Sequence, residues 1–330
     1  MNQSRTYQAT GINLKGMPLG ESDLLLTILT LEFGLIRAVA PGARKPKSKI
    51  GGRSNLFVVN ELLLGRGRSL DRINQAQSIT AYGGLSRDLG KLVIAQYWAE
   101  LALAQALDRQ PQPDLFATLN QDLHQLEALV LPSDRAEAIE QLLWMLCGGI
   151  GRLLAIAGVV PQTDRCTLTQ RPIVPDFADR QWRVGFSAAA GGTIDLAALD
   201  DPDTVAWLAS RQPTRSTVHR DGAKISFSPL RLTAAECWQL QSLLQGRDRT
   251  PTAAIDGERV NGVQVWQRLE RVLRHYAQYH LDQAIRSAKS LDAYLAAQEP
   301  PPNVLPDPPP GDRPPASEWP ESPVITRSGA

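Results

Sequence analysis

The chain has 330 residues, 43% of them hydrophobic and 21% charged, with a formal net charge of +1. This composition supports one large or two moderate domains with buried cores and excludes disorder of the whole chain. The near-balance of charge excludes a wholesale polyelectrolyte, so affinity for nucleic acid has to come from an uneven distribution of basic residues.

Up to about residue 82 the sequence reads as short strands, "TYQATGINLKG", "LLLTILT", "GLIRAVAP", "NLFVVNELLLGRG" and "LDRINQAQSIT", separated by Gly, Pro, Asn and Asp. Five strands in so short a stretch predict a small barrel. Residues 1–80 hold eleven basic residues (Arg5, Lys15, Arg37, Arg44, Lys45, Lys47, Lys49, Arg53, Arg66, Arg68, Arg72) against five acidic ones (Glu21, Asp23, Glu32, Glu61, Asp71), a net +6. The densest part runs from Pro41 to Arg53, "PGARKPKSKIGGR", and contains no acid. Such a segment between two strands is either a solvated loop or a tracker of phosphates, and Arg66 and Arg68 in "GRGRS" reinforce the second reading. The candidate phosphate contacts are therefore Arg37, Arg44, Lys45, Lys47, Lys49, Arg53, Arg66, Arg68 and Arg72. Tyr7, Phe33, Phe57 and Tyr82 are the aromatics available for base stacking, but aromatics at strand positions usually fill a small barrel and are read as core.

From Leu85 the period changes to that of helices. "GLSRDLGKLVIAQYWAELALAQALDR" is a long amphipathic helix, "PQPDLFATLNQDLHQLEALV" a second, and "PSDRAEAIEQLLWMLCGGIGRLLAIAG" a third, with Ser133 as the expected N-cap. The apolar stretch 142–160 contains Arg152 near its middle and four glycines, so it is read as a buried core helix and not a membrane span. Residues 159–228 are an irregular or partly β insertion, in which Trp182, Phe186 and Trp207 are the packing candidates. Helix is expected to resume at "SPLRLTAAECWQLQSLLQG" and to finish in one element, 261–298. From Glu299 onward eleven of 32 residues are proline and the net charge is −3, the composition of a disordered tail.

Enzymatic readings find no support in these residues. His275 and His280 are five apart and miss the i, i+4 spacing of a helical metal pair. In "GLSRDLGKL" five residues separate Gly84 from Gly90 and Leu92 replaces the Ser or Thr of a phosphate-binding loop. Asp200 with Asp201, and Glu21 with Asp23, sit beside turns where capping or solvation explains them. Cys147, Cys166 and Cys237 are odd in number and widely spaced, which points to a reducing cytosol, and the N-terminus has no apolar signal segment.

The stretch "PLGESDLLLTILTLEFGLIRAVAPGARKPKSKIGG", with Gly20, Glu21, Ser22, Asp23, Gly34 and the Gly42-Ala43-Arg44 turn, resembles the N-terminal signature of the bacterial RecO family. The match continues through "FVVNELLLGRG" and returns at "LRHYAQYHL", residues 273–281. The resemblance implies an OB-fold joined to a helical domain, binding of single- and double-stranded DNA, strand annealing, and cooperation with RecR and single-stranded DNA-binding protein to load RecA. Many members of that family carry a zinc module of two CxxC pairs; here only Cys166 is kept, with Thr169, Asp195 and Ala198 at the other positions. One thiolate and one carboxylate do not close a four-ligand zinc shell, so no metal and no cofactor is expected.

The sequence thus predicts an α+β protein. Residues 1–82 form an OB-fold nucleic-acid-binding domain, 83–298 a mainly helical domain interrupted by the degenerate zinc-module-like insertion at 159–228, and 299–330 a tail. The expected activity is that of a non-enzymatic, cytoplasmic and nucleoid-associated DNA-binding mediator with no membrane partner. The alternative is a protein-interaction scaffold whose barrel docks on protein or RNA. Single-stranded DNA-binding proteins present an acidic, apolar C-terminal tail, and Arg152, the lone charge in an apolar stretch, is the candidate anchor for it; the alternative is that Arg152 is held internally by a helix-end carbonyl or an acid.

Overall fold

Alternation of apolar and polar side chains builds the first quarter of the chain into β1 (Thr6–Leu19), β2 (Asp23–Thr30), β3 (Gly34–Ala40), β4 (Val58–Gly65) and β5 (Asp71–Ala81). In the computed structural model, which describes residues 5–211, 229–247 and 261–298, they close into a barrel in the order β1-β2-β3-β5-β4. Pairing is antiparallel except where β3 meets the start of β5, at Ala38↔Asp71 and Val39↔Arg72. This is an OB-like architecture. Ala9, Leu26, Ile28, Ile36, Ala38, Leu62, Leu64 and Ile73 fill the interior. Gly34, at φ +64°, turns the chain into β3 where a Cβ would lie 1.8 Å from the Gln110 carbonyl oxygen.

The opposite faces of the same strands hold the barrel to the helices. Ile12, Leu14, Leu29, Phe57 and Val59 join one continuous core with α1 (Leu89–Gln105), α2 (Pro113–Ala128), α3 (Arg135–Ile156) and α6 (Gly262–Leu281). Phe57 and Tyr82 are buried there, core residues as expected, but they flank β4 and β5 and pack toward the helices and not inside the barrel. Asp88 caps α1 at the N–H of Lys91, whose Nζ in turn donates to the carbonyls of Glu127 and Leu129 at the end of α2. The lysine of "GLSRDLGKL" thus satisfies carbonyls at the C-terminal end of α2. The apolar run at 142–160 contributes to α3, which among the described residues is the one helix long and apolar enough to cross a membrane. It is instead a core helix: the Trp98 indole packs so closely that a Cβ on Gly149 would lie 2.3 Å from it, and Trp98 Nε1 donates to Leu146 O.

Several boundaries differ from the sequence expectation. The N-cap of α3 is Asp134, accepting from Glu137 N at 2.8 Å, and not Ser133; the carboxylate is the stronger acceptor at a helix N-terminus. The insertion is partly β, one of the two readings of its sequence, with β6 (Val184–Ser187) and β7 (Gly192–Ile194), and it also carries a helix that was not expected, α4 (Pro202–Ser210). The segment after it opens with a strand, β8 (Leu230–Leu232), pairing with β6 before α5 (Ala234–Leu244) begins at a Thr233/Glu236 capping box. Within the insertion Phe186 is buried and Trp182 packs on the main core, but Trp207 is 43% exposed beneath the Arg211 guanidinium. The last expected helix is two, because Asp282 adopts a left-handed conformation that ends α6 before α7 (Ala288–Ala296). Residues 212–228 of the insertion and the tail at 299–330 lie outside the described residues.

Candidate nucleic-acid interface

The β3–β4 connection holds the basic run, and the residues around it explain its placement. Gly42 N donates to Asp23 Oδ1 at 2.7 Å, and Arg44 N donates to Ser22 O at 2.9 Å. The Arg44 guanidinium donates to Gly20 O at 3.1 Å, and Ser22 Oγ bonds Asp23 Oδ1. These bonds hold the Asp23 carboxyl below its ordinary value, the Gly42 N–H contributing most. The Gly20-Glu21-Ser22-Asp23 and Gly42-Ala43-Arg44 segments therefore work as a clamp fastening the loop to the β1–β2 hairpin. At its far end the Arg53 carbonyl accepts from the inward amides of Asn13 and Asn60, both fully buried.

All nine candidate phosphate contacts are exposed, and none of them forms an ion pair among the described residues. Arg37 lies on the outer face of β3, and Arg72 is paired to Val39, two residues farther along the same face. β3 runs on into the loop that bears Arg44, Lys45, Lys47, Lys49 and Arg53, while β5 starts from the hairpin that bears Arg66 and Arg68. The parallel β3–β5 pairing thus sets side by side the two strands from which the basic segments extend. Arg66 lies over the half-buried Tyr7 ring at 5.5 Å, and Tyr7 meets Phe33 edge-to-face at 4.9 Å.

Sequence reasoning missed the network beneath that hairpin. Asp71 is fully buried and accepts from Tyr7 Oη, from Gly67 N at 3.0 Å and from Arg109 Nη2 at 3.0 Å. Burial opposes its charge, but these hydrogen bonds outweigh burial and keep its carboxyl below the ordinary value. Arg109 belongs to the α1–α2 connection, so no spacing rule along the chain pairs it with Asp71. Also missed was a cleft on β1, β4 and β5 that Lys49 and Arg53 border.

Arg152 is not a free cation within the helical half: its Nε donates to the buried Asp122 at 2.8 Å, while 45% of its side chain stays exposed. Burial raises the Asp122 carboxyl above its ordinary value despite this partner, and Asp122 Oδ2 has no hydrogen-bond partner. Of the histidines, His275 is exposed and His280 stacks on Tyr276 and bonds Ala188 O, so the two do not meet. Asp201 caps α4 at Asp203 N and Thr204 N, as its position beside a turn implied.

Two family comparisons cover most of the chain: residues 1–82 match Recombination protein O N terminal and residues 86–200 match Recombination protein O C terminal. A protein of Nostoc sp. named DNA repair protein RecO is 46% identical over 303 residues, 89% of this chain and 98% of that relative. The proteins of the same name from Nostoc punctiforme and Trichodesmium erythraeum are 47% and 46% identical, spanning 89% and 90% of this chain and 98% and 97% of the relatives. The chain belongs to the RecO family.

The zinc module expected of many RecO proteins meets a donor set here that does not fit the metal. The fold does bring the four positions together: Cys166 Sγ accepts from Thr169 N at 3.4 Å and Asp195 N at 3.2 Å, and Ala198 packs on the same small cluster. A thiol, a hydroxyl, a carboxylate that caps its own turn at Ala197 N and a methyl do not make a tetrahedral shell, and no metal-binding group of three or more His, Cys, Asp or Glu occurs among the described residues. Burial works against the Cys166 thiolate, yet hydrogen bonds from Thr169, Asp195 and Leu168 hold the thiol below its ordinary value. Cys147 and Cys237 are pushed up by burial, and all three thiols are free.

Proposed function

We propose that this RecO family chain acts in DNA repair as a non-enzymatic recombination mediator, binding single- and double-stranded DNA through the basic side of its barrel and annealing complementary strands. The observation that carries this reading is the set of nine exposed cations, without ion-pair partners among the described residues, along the β3–β5 seam and its two flanking loops. Neutralising phosphates lowers the repulsion between two strands, so pairing proceeds with no bond made or broken by the protein. Cooperation with RecR and single-stranded DNA-binding protein to load RecA is part of the same proposal, with the half-exposed Arg152 side chain as the anchor for the acidic tail of the single-stranded DNA-binding protein. On this reading the protein works in the cytoplasm, on the nucleoid.

A salt titration tests it. Arg44→Ala, Lys45→Ala, Lys47→Ala and Lys49→Ala together remove four phosphate contacts, which at about 0.7 per phosphate for single strands flattens the log–log salt slope by roughly three units. Between 50 and 200 mM salt the variant then loses about 50-fold less affinity than the parent does. Because Arg44 also holds Gly20 O, the Lys45, Lys47, Lys49 triple variant isolates charge from loop anchoring. An unchanged slope overturns the basic-loop assignment, and salt-independent binding by the parent favours the protein-interaction scaffold.

A further inference from the structure

A cleft of about 800 Å³ lies against β1, β4 and β5, bordered by Lys49, Ile50 and Arg53 of the basic loop. Strand register orders its floor into two cross-strand rows, Gln8–Leu63–Gln75 and Thr10–Glu61–Gln77. Gln8, Glu61, Gln75 and Gln77 are exposed, and no hydrogen bond or ion pair occupies their side chains among the described residues. Past Arg72, β5 pairs with β4 alone among the described strands, and the basic loop lies beside Asn74, Gln75 and Gln77. From these features the geometry points to a site for the unstacked bases of a single strand, an inference that rests on the DNA-binding reading above.

The chemistry of the rows decides which part of a nucleotide they take. Amides donate and accept at once, as base edges do, whereas Glu61 repels phosphate and accepts from base amino or imino groups. Leu63, half-buried between two amides, offers an apolar contact for a base face. Cations occur only at the border, so phosphates run along Lys49 and Arg53 and bases turn inward. Spacing agrees: rows two residues apart on a strand are separated by about 6.8 Å, twice the 3.4 Å rise of a stacked strand. Neighbouring bases reach successive rows only when unstacked, so a duplex cannot use the cleft.

The test is a Gln8→Ala, Gln75→Ala, Gln77→Ala variant of the full chain, binding labelled oligo-dT and a hairpin duplex of equal charge by anisotropy across a salt series. These side chains lie on the surface, and circular dichroism verifies the fold. Loss of at least about tenfold for oligo-dT, with an unchanged salt slope and unchanged duplex binding, is the expected result. No loss, or an equal loss on the duplex, overturns the cleft assignment while leaving the DNA-binding reading intact. If the parent chain itself shows no salt-dependent binding to either DNA, the DNA-binding reading falls and the cleft assignment falls with it.

Discussion

Asp71→Ala is the most informative single change to the fold, because one carboxylate joins the β4–β5 hairpin, β1 and the α1–α2 connection. The substitution leaves Tyr7 Oη and Gly67 N without their acceptor and deprives Arg109 of its partner. An orphaned donor costs about 1–3 kcal/mol when it is shut off from water. Tyr7 is only half-buried and 41% of the Arg109 side chain is exposed, so both rehydrate in part. The net loss then falls at about 2–4 kcal/mol, which lowers the melting temperature by roughly 3–6 °C in a chain of this size. Urea unfolding followed by circular dichroism measures it, with Arg109→Ala and the double variant completing a cycle whose coupling is expected to exceed about 1 kcal/mol. The pH dependence supplies an independent sign. A carboxyl whose folded-state value is depressed contributes stability that is complete above its unfolded value near 3.8 and is lost as pH falls through the folded value. Asp71→Asn therefore removes part of the acid sensitivity below pH 4. A loss under about 0.5 kcal/mol in Asp71→Ala, with an unchanged acid limb in Asp71→Asn, refutes the role given to this network.

Gly34→Ala is expected to destabilise by more than about 2 kcal/mol in the same assay, since φ is +64° and the new Cβ meets the Gln110 carbonyl; near-parental stability contradicts the tight passage of the chain there. Elemental analysis of the purified protein is expected to find no stoichiometric zinc, and one tightly held zinc per chain, with unfolding on chelation, contradicts the reading of Cys166, Thr169, Asp195 and Ala198. Arg152→Ala alone leaves the buried Asp122 without its cation, so the anchor is tested in Asp122→Asn. Binding of an acidic single-stranded DNA-binding protein tail peptide is expected to persist in Asp122→Asn and to disappear in Asp122→Asn/Arg152→Ala; equal binding by both removes Arg152 from the site.

Much of the fold was written locally. The alternation in "GLIRAVA" puts Ile36 and Ala38 inside and Arg37 outside whatever the rest of the chain does, because successive side chains point to opposite faces. The helical period after Leu85 and the concentration of cations in the first 80 residues were likewise legible without coordinates. What tertiary structure alone decided are the encounters between distant segments. Asp71 finds Arg109 across 38 residues, and Asp122 takes the guanidinium of Arg152, for which the sequence had offered an internal acid, a helix-end carbonyl or an external partner without choosing among them. The rows Gln8–Leu63–Gln75 and Thr10–Glu61–Gln77 exist only through the β1–β4–β5 register, since glutamine and threonine carry no periodic signal of their own. The hydrophobic effect is non-directional and selects faces, so it can be read from pattern; hydrogen bonds and ion pairs depend on distance and angle between residues that only closure of the barrel against the helices brings together.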